Sequence, residues 1–158
     1  MEKKLSLQEL NNVAEIDIVY RKKLTCKISE RPRISSSTDA YEILMHYWDD
    51  GKIELIEQFK VLFLNQANRV LQILSLSQGG LTGTVADPRL ILGAALRVAA
   101  CSIVLCHNHP SGNLQPSRAD ETLSQKIKNA AAFHDIKVLD HLIIAAEGYY
   151  SFADQGLL

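Results

Sequence analysis

The feature that most constrains this fold is the segment 102–120, in which a buried-type strand runs into two histidines and then into a helix. Residues 102–106 are a short run of mainly apolar and β-branched residues, and a polar loop follows the histidines. This pattern is typical of a buried strand. His107 and His109 are two positions apart, and such side chains leave an extended segment on the same side. Asp120 follows a turn rich in Pro and Gly and falls in the first turn of a predicted helix, within reach of both imidazoles.

These residues allow two interpretations. Two imidazoles and one carboxylate form a three-ligand set for zinc and leave a fourth position for water, as in catalytic rather than structural zinc sites. Alternatively, Ser117 and Asp120 have the spacing of a capping box, in which a serine and an acid satisfy free amides at a helix start. A single histidine is usually a packed or solvated side chain. A His-x-His at a strand end with an acid on the next helix favours the metal site.

The spacing resembles the JAMM signature of MPN+ metallopeptidases: His-x-His, seven residues, a serine, two residues and an aspartate. The hexapeptide His-Asn-His-Pro-Ser-Gly, which begins at His107, narrows the resemblance to the RadC-like (JAB domain) bacterial branch. The resemblance covers about residues 38–158. It implies an α/β (α+β) fold of the MPN/JAB type, with a mixed β-sheet flanked by helices in a cytidine-deaminase-like architecture.

The same resemblance implies a set of functional residues. The zinc ligands it implies are His107, His109 and Asp120. It places Ser117 near the bound water as a catalytic residue. It also implies an upstream glutamate in a Glu-x-Phe sequence before an apolar strand, which is Glu57 in this chain. Glu54 is the nearby alternative, and only the resemblance favours Glu57, because the residues alone indicate a surface acid on an edge strand.

The implied activity is that of a zinc-dependent hydrolase, in which zinc and Glu57 activate water for attack on a peptide or isopeptide amide. The alternative is an accessory protein of DNA repair or recombination, with or without catalysis. A net charge of −1 provides no basic field for nucleic acid. Residues 1–37 are also too few for the helix-hairpin-helix segment that usually precedes this domain in RadC-like proteins. A catalytically idle scaffold is a third alternative, which the complete set of ligand and base residues disfavours.

Length and composition indicate the number of domains, the location of the protein and the state of its cysteines. The 158 residues, 47% of them hydrophobic, amount to one domain. We find neither an apolar run near the ~18 residues that span a bilayer nor the apolar core of a signal peptide, so we expect a cytoplasmic protein without a membrane partner. The three cysteines, Cys26, Cys101 and Cys106, include no Cys-x-x-Cys pair and are expected to be reduced. Cys106 precedes His107 and should point to the opposite face of the strand, so it is not expected to be a ligand.

The chain before the motif is predicted to form an arm followed by helices and strands. Alternating residues in 13–28 predict a β-hairpin or extended arm and residues 31–37 a linker, so that 1–37 precedes a domain at 38–158. A helix is predicted to begin with a capping box of Asp39 and Glu42 and to end at Gly51. The other predicted elements are a strand hairpin at 59–64 and 70–74 and a glycine-rich strand or bulge at 79–84. A further helix is predicted at 90–100, with Asp87 as its N-cap and Pro88 as its first residue. This last helix is apolar almost all round and is therefore expected to be buried on all sides.

After the motif, the sequence predicts a helix at 117–134 and a final hairpin with strands at 138–146 and 149–152. Asp140 and His141 lie at the head of that hairpin. They are either partners of the zinc ligands or residues at a solvated strand end. The sequence leaves this choice open.

Overall fold

A computed structural model of the chain describes residues 26–79 and 85–158, which form an α+β fold with a mixed five-stranded sheet. The strands are β1 (Gln58–Leu64), β2 (Val70–Gln78), β3 (Ser102–Asn108), β4 (Lys137–Ala145) and β5 (Gly148–Ser151). The helices are α1 (Ser37–His46), α2 (Pro88–Arg97) and α3 (Arg118–Ala132), and a single 3-10 turn occupies Ile28–Glu30. The predicted mixed sheet flanked by helices is confirmed.

The strand order is β2-β1-β3-β4-β5, so β3, which contains His107 and ends just before His109, is central. β3 and β4 are parallel, while the other neighbouring pairs are antiparallel. Parallel neighbours need a crossover connection, and here α3 lies within that connection. The carboxyl end of β3 therefore leads directly into the loop that precedes α3, which brings both histidines near the amino end of that helix.

Each face of the sheet carries its own hydrophobic core, because side chains alternate along the central strands. On one face, α2 and α3 contribute Ile91 and Ile127, which pack with residues such as Phe59 and Leu105. On the other face, Leu44 of α1 packs with the second set of alternating residues. Members of this second core include Leu62, Val104, Cys106 and Leu142.

The predicted helix starts are correct for two of the three helices. Asp87 accepts a hydrogen bond from Arg89 N–H at the start of α2, with Pro88 as its first residue, and Ser117 is the N-cap of α3. The prediction for α1 was wrong by three residues, because Ser36 is its N-cap and Asp39 is the acid that completes the box. The helix also ends at His46, well before Gly51.

The expectation that α2 is buried on all sides was wrong. Ile91 and Ala95 are fully buried, whereas Leu90 is 60% exposed and Leu96 is 51% exposed. Only the side of the helix that faces the sheet is covered by the described residues. The apolar residues on the outer side of α2 are therefore surface residues and add nothing to the core.

The segment that we interpreted as a linker contacts the sheet. Ile34 is buried, its N–H donates to the carbonyl of Asn68, and Val70 N–H donates to the carbonyl of Pro32. Most of the predicted hairpin at 13–28, and the glycine-rich segment beyond Gly79, lie outside the described residues. Within 26–79 and 85–158, no helix has both the length and the apolar character needed to cross a membrane.

Candidate metal centre

The carboxyl end of β3 and the first turn of α3 bring three donor groups together. His107 Nε2 lies 3.0 Å from His109 Nε2 and 3.2 Å from Asp120 Oδ1. His109 Nε2 lies 3.8 Å from Asp120 Oδ2. One ligand atom from each residue lies within 4.8 Å of the others, so the group could hold a metal ion. The three predicted ligands therefore meet in space.

The loop after β3 determines which nitrogen of His109 faces this group. His109 Nδ1 is 2.6 Å from the carbonyl oxygen of Asn113, and a carbonyl oxygen can only accept a hydrogen bond. The ring therefore donates through Nδ1–H, and in a neutral imidazole the lone pair is then on Nε2. That lone pair points toward His107 and Asp120.

Asp120 uses its two carboxylate oxygens differently. Oδ2 accepts hydrogen bonds from the backbone N–H of Ser117 at 2.7 Å and from its hydroxyl at 2.6 Å. In return, the Ser117 oxygen accepts from Asp120 N–H at 3.2 Å, which completes the capping box. Oδ1 faces His107. The capping and metal interpretations, treated as alternatives for this acid, are thus compatible, because each uses a different oxygen.

The electrostatics keep Asp120 ionised. Burial opposes ionisation of this carboxyl, but the contact with His107 and the hydrogen bonds from Ser117 outweigh burial and hold its pKa well below the ordinary range. An ionised carboxylate and imidazole lone pairs converging on one point repel one another unless a cation lies between them. Two imidazole nitrogens and one carboxylate oxygen also match the ligand preferences of zinc, so these residues fit the metal that the sequence implies.

Glu57 lies directly before β1 and is not a member of this ligand group. Antiparallel pairing aligns Phe59 with His107, so Glu57 lies two residues before a residue that is paired with a ligand. Glu57 is half-buried, whereas Glu54 is exposed in the preceding turn. The choice of Glu57 over Glu54 stays a prediction.

Asn108, between the two histidines, has a role that sequence reasoning missed. Its side chain is fully buried, its Oδ1 accepts from Gln58 N–H at 2.7 Å, and its Nδ2 donates to the carbonyls of Ile53 at 2.6 Å and Ile56 at 3.0 Å. Two of these partners are the residues on either side of Glu57. The available signal was a polar amide in a buried strand, since buried amides have hydrogen-bond partners.

Asp140 and His141 are neighbours in the sequence but have different hydrogen-bond partners in the structure. His141 is fully buried, and its Nε2 is 2.8 Å from His107 Nδ1, so the solvated alternative is wrong. Burial, and next the proximity of His107, hold the pKa of His141 well below its usual value. Asp140 instead accepts hydrogen bonds from Ser151 Oγ at 2.6 Å and Ala153 N–H at 3.0 Å. It therefore stabilises the carboxyl-terminal turn rather than the ligands.

Taken together, a mixed five-stranded sheet with a two-histidine, one-carboxylate centre at the end of its central strand defines an α+β domain with a candidate metal site. The family description "RadC-like JAB domain" matches residues 34–157, and the chain belongs to this family.

Curated relatives extend the similarity over most of the chain. A UPF0758 protein of Flavobacterium johnsoniae is 46% identical over 125 residues, which cover 79% of this chain and 53% of the relative. The corresponding protein of Porphyromonas gingivalis is 42% identical over 133 residues, or 82% of this chain and 57% of the relative. One from Leptothrix cholodnii is 39% identical over 150 residues, or 95% and 65%. The chain thus spans between about half and two thirds of these relatives.

Proposed function

We propose that this chain is a zinc-dependent hydrolase of the JAMM type that cleaves a peptide or isopeptide amide. The observation that carries the proposal is the convergence of His107 Nε2, His109 Nε2 and the Asp120 carboxylate at the end of β3. The side chains of His109 and Asp120 remain 18% and 15% exposed, so a substrate can approach the group. Three protein ligands leave room for the water that hydrolysis requires.

In this proposal His107, His109 and Asp120 hold the metal. A bound zinc supplies Lewis acidity, which lowers the pKa of a water ligand to about 7 and polarises the substrate carbonyl. Asp120 contributes Oδ1, because Ser117 already occupies Oδ2. The depressed pKa of Asp120 keeps this ligand anionic without competition from protons near neutral pH.

Two further side chains move or stabilise charge. Glu57 takes a proton from the attacking water and returns it to the leaving amine, as a general base and then a general acid. The hydroxyl of Ser117 donates a hydrogen bond to the oxyanion that develops on attack. To do so it turns away from Asp120 Oδ2, while the backbone N–H of Ser117 continues to hold that oxygen.

A role as an accessory protein of DNA repair or recombination is the alternative. It is suggested by the RadC name of the family. The net charge of −1 does not favour it, since nucleic-acid affinity comes largely from cations that neutralise phosphates.

The decisive experiment compares zinc-loaded chain with its Glu57→Gln variant on a panel of peptide and isopeptide-linked substrates. We expect wild type to cleave members of the panel and a chelator to abolish cleavage. Glu57→Gln should retain zinc but lose at least ~100-fold in rate, because an amide cannot accept the proton of water. Glu54→Gln is the matched control and should cleave normally.

Two outcomes would contradict the proposal. If Glu57→Gln cleaves as well as wild type, Glu57 is not the base. If instead the chain cuts DNA in a metal-dependent reaction that requires His109 and Asp120, the amide hydrolase is wrong and the DNA alternative takes its place.

A further inference from the structure

We propose that His141 and Ser124 form a positioning relay that locks His107 in the ring tautomer whose Nε2 is free to bind metal. The inference rests on the proposed metal centre and adds two positioning residues to it. The relay consists of three consecutive hydrogen bonds that begin at His107 and end on the backbone of α3. They join His107 to His141, His141 to Ser124, and Ser124 to the carbonyl of Asp120.

The direction of the relay is set at its helical end. Ser124 Oγ lies 2.6 Å from the carbonyl oxygen of Asp120, and that oxygen can only accept. The hydroxyl proton of Ser124 is therefore committed to this carbonyl. Ser124 Oγ must then accept in its other hydrogen bond, so His141 Nδ1 carries a proton.

The proton on Nδ1 of His141 determines the tautomer of His107. With its proton on Nδ1, a neutral His141 has its lone pair on Nε2 and accepts from His107 Nδ1–H across 2.8 Å. The lone pair of His107 is then on Nε2, which lies 3.0 Å from His109 Nε2 and 3.2 Å from Asp120 Oδ1. The relay thus points a donor atom of His107 at the other two ligand residues.

Metal binding at His107 Nε2 requires the same protonation of His141. If both nitrogens of His141 carried protons, His107 would accept at Nδ1 and carry its own proton on Nε2, where no metal could bind. The ring of His141 is fully buried, and burial disfavours a charged imidazole. The hydrogen bond of Ser124 and metal binding by His107 Nε2 therefore require the same protons, one on Nδ1 of His141 and one on Nδ1 of His107.

The geometry also connects two ligands through one turn of helix. Asp120 presents its carboxylate to the centre, and the carbonyl of the same residue anchors the relay that orients His107. The ring of Phe59 lies parallel to that of His107, with 6.0 Å between the ring centroids. A rotation of His107 that exchanged its nitrogens would lose the hydrogen bond to His141.

The first test measures tautomers in the metal-free chain. In protein labelled with ¹⁵N-histidine, long-range ¹H–¹⁵N correlation spectra distinguish protonated from unprotonated ring nitrogens. We expect Nδ1–H for both His107 and His141. A proton on Nε2 of His141, or an unprotonated Nδ1 in either residue, would overturn the relay. Because neither metal nor substrate is present, this result stands apart from whether the chain hydrolyses amides.

The second test measures the affinity of the chain for Co²⁺ by its absorption spectrum. Ser124→Ala should weaken binding by about 10-fold, the lower end of the range for loss of a direct partner of a ligating histidine, because Ser124 acts through His141. The matched control is Thr122→Ala, because Thr122 makes the same type of bond on the same helix, from Oγ1 to the carbonyl of Arg118 at 2.8 Å. Unchanged affinity in Ser124→Ala, or an equal loss in Thr122→Ala, would overturn the relay.

A third pair of variants guards against effects of folding. His141→Gln supplies an amide oxygen that can accept from His107 Nδ1–H, whereas His141→Leu supplies no acceptor. We expect His141→Gln to bind Co²⁺ at least ~10-fold more tightly than His141→Leu. Equal affinities in two variants with the same thermal stability would contradict the relay, because the stabilities would exclude a difference in folding. If wild type itself binds no metal, the proposed function fails while the tautomer measurement still decides the relay.

Discussion

At the scale of single residues, Asp120 has two roles in the candidate centre. Asp120 caps α3 through Oδ2 and faces His107 through Oδ1. A capping box therefore does more than begin a helix here. Because Ser117 holds Oδ2 through both its N–H and its hydroxyl, it also fixes the direction in which Oδ1 points.

This double role predicts a specific phenotype for Ser117→Ala. The free energy of unfolding of the metal-free chain should fall by about 1 kcal/mol, the usual cost of losing a serine N-cap. Metal affinity should also fall, by about 10-fold, because one of the two hydrogen bonds that orient Asp120 is lost. Urea unfolding and a Co²⁺ titration would measure the two effects.

The structure offers a matched control for this variant in α1. Ser36 forms the same capping box with Asp39 but lies on the other face of the sheet. Ser36→Ala should therefore cost a similar amount of stability and leave metal affinity unchanged. Equal metal affinities in the two variants would show that the cap of α3 does not orient the carboxylate.

Sequence reasoning located the ligands because local rules suffice for them. His107 and His109 share a side of an extended segment, and Asp120 belongs to a capping pattern, so short-range periodicities predict their meeting. His141 and Ser124 could not be placed in this way. Their contacts depend on the parallel pairing of β3 with β4, which aligns His107 with Ile143, and that register has no local signal.

At the scale of elements, the candidate base is held by a contact between β3 and the segment before β1. Asn108 binds the backbone on both sides of Glu57 and thereby ties this segment to the strand that carries the ligands. The sequence predicted the strand that follows Glu57. It could not predict the clamp, because Asn108 and Gln58 are 50 residues apart in the chain.

We expect Asn108→Ala to loosen residues 53–58 selectively. The substitution leaves Gln58 N–H and the carbonyls of Ile53 and Ile56 without their partners, at about 1–3 kcal/mol for each group that stays buried. Hydrogen exchange should therefore increase in 53–58 more than in β3. Asn108→Asp is the comparison, since it keeps an acceptor for Gln58 and loses only the donors. Uniform faster exchange along the whole sheet would contradict a local clamp.

The apolar pattern of α2 led to the wrong prediction that this helix is buried on all sides. Its residues are apolar on most sides, yet only one side meets the sheet, because a helix in the outer layer of a fold buries only its inner side. Ile91→Ala should therefore lower the free energy of unfolding by about 2–5 kcal/mol, as deletions in a packed core do. Leu90→Ala should change it by less than about 0.5 kcal/mol. Denaturant unfolding of the two variants would measure this contrast, and similar losses would mean that the outer side of α2 is covered.

At the scale of the whole molecule, the two cores on opposite faces of the sheet should stabilise the fold without a metal. Large buried side chains such as Phe63, Leu44 and Ile127 belong to these cores and lie away from the ligand group. The metal-free chain should accordingly remain folded. A ligand that binds only the folded state then stabilises it by mass action.

Zinc should therefore raise the thermal stability of an already folded chain. At a free concentration 100 times the dissociation constant, binding adds about 2.7 kcal/mol to the free energy of unfolding. For a chain of this size that corresponds to a rise in Tm of roughly 5–10 °C. His107→Ala should abolish the shift, whereas His134→Ala should preserve it, because His134 is exposed just beyond α3 and is not a member of the ligand group. Scanning calorimetry with zinc and with a chelator measures both effects. Unfolding on chelation would show a structural metal instead, and an unchanged Tm at every zinc concentration would show that the centre binds none.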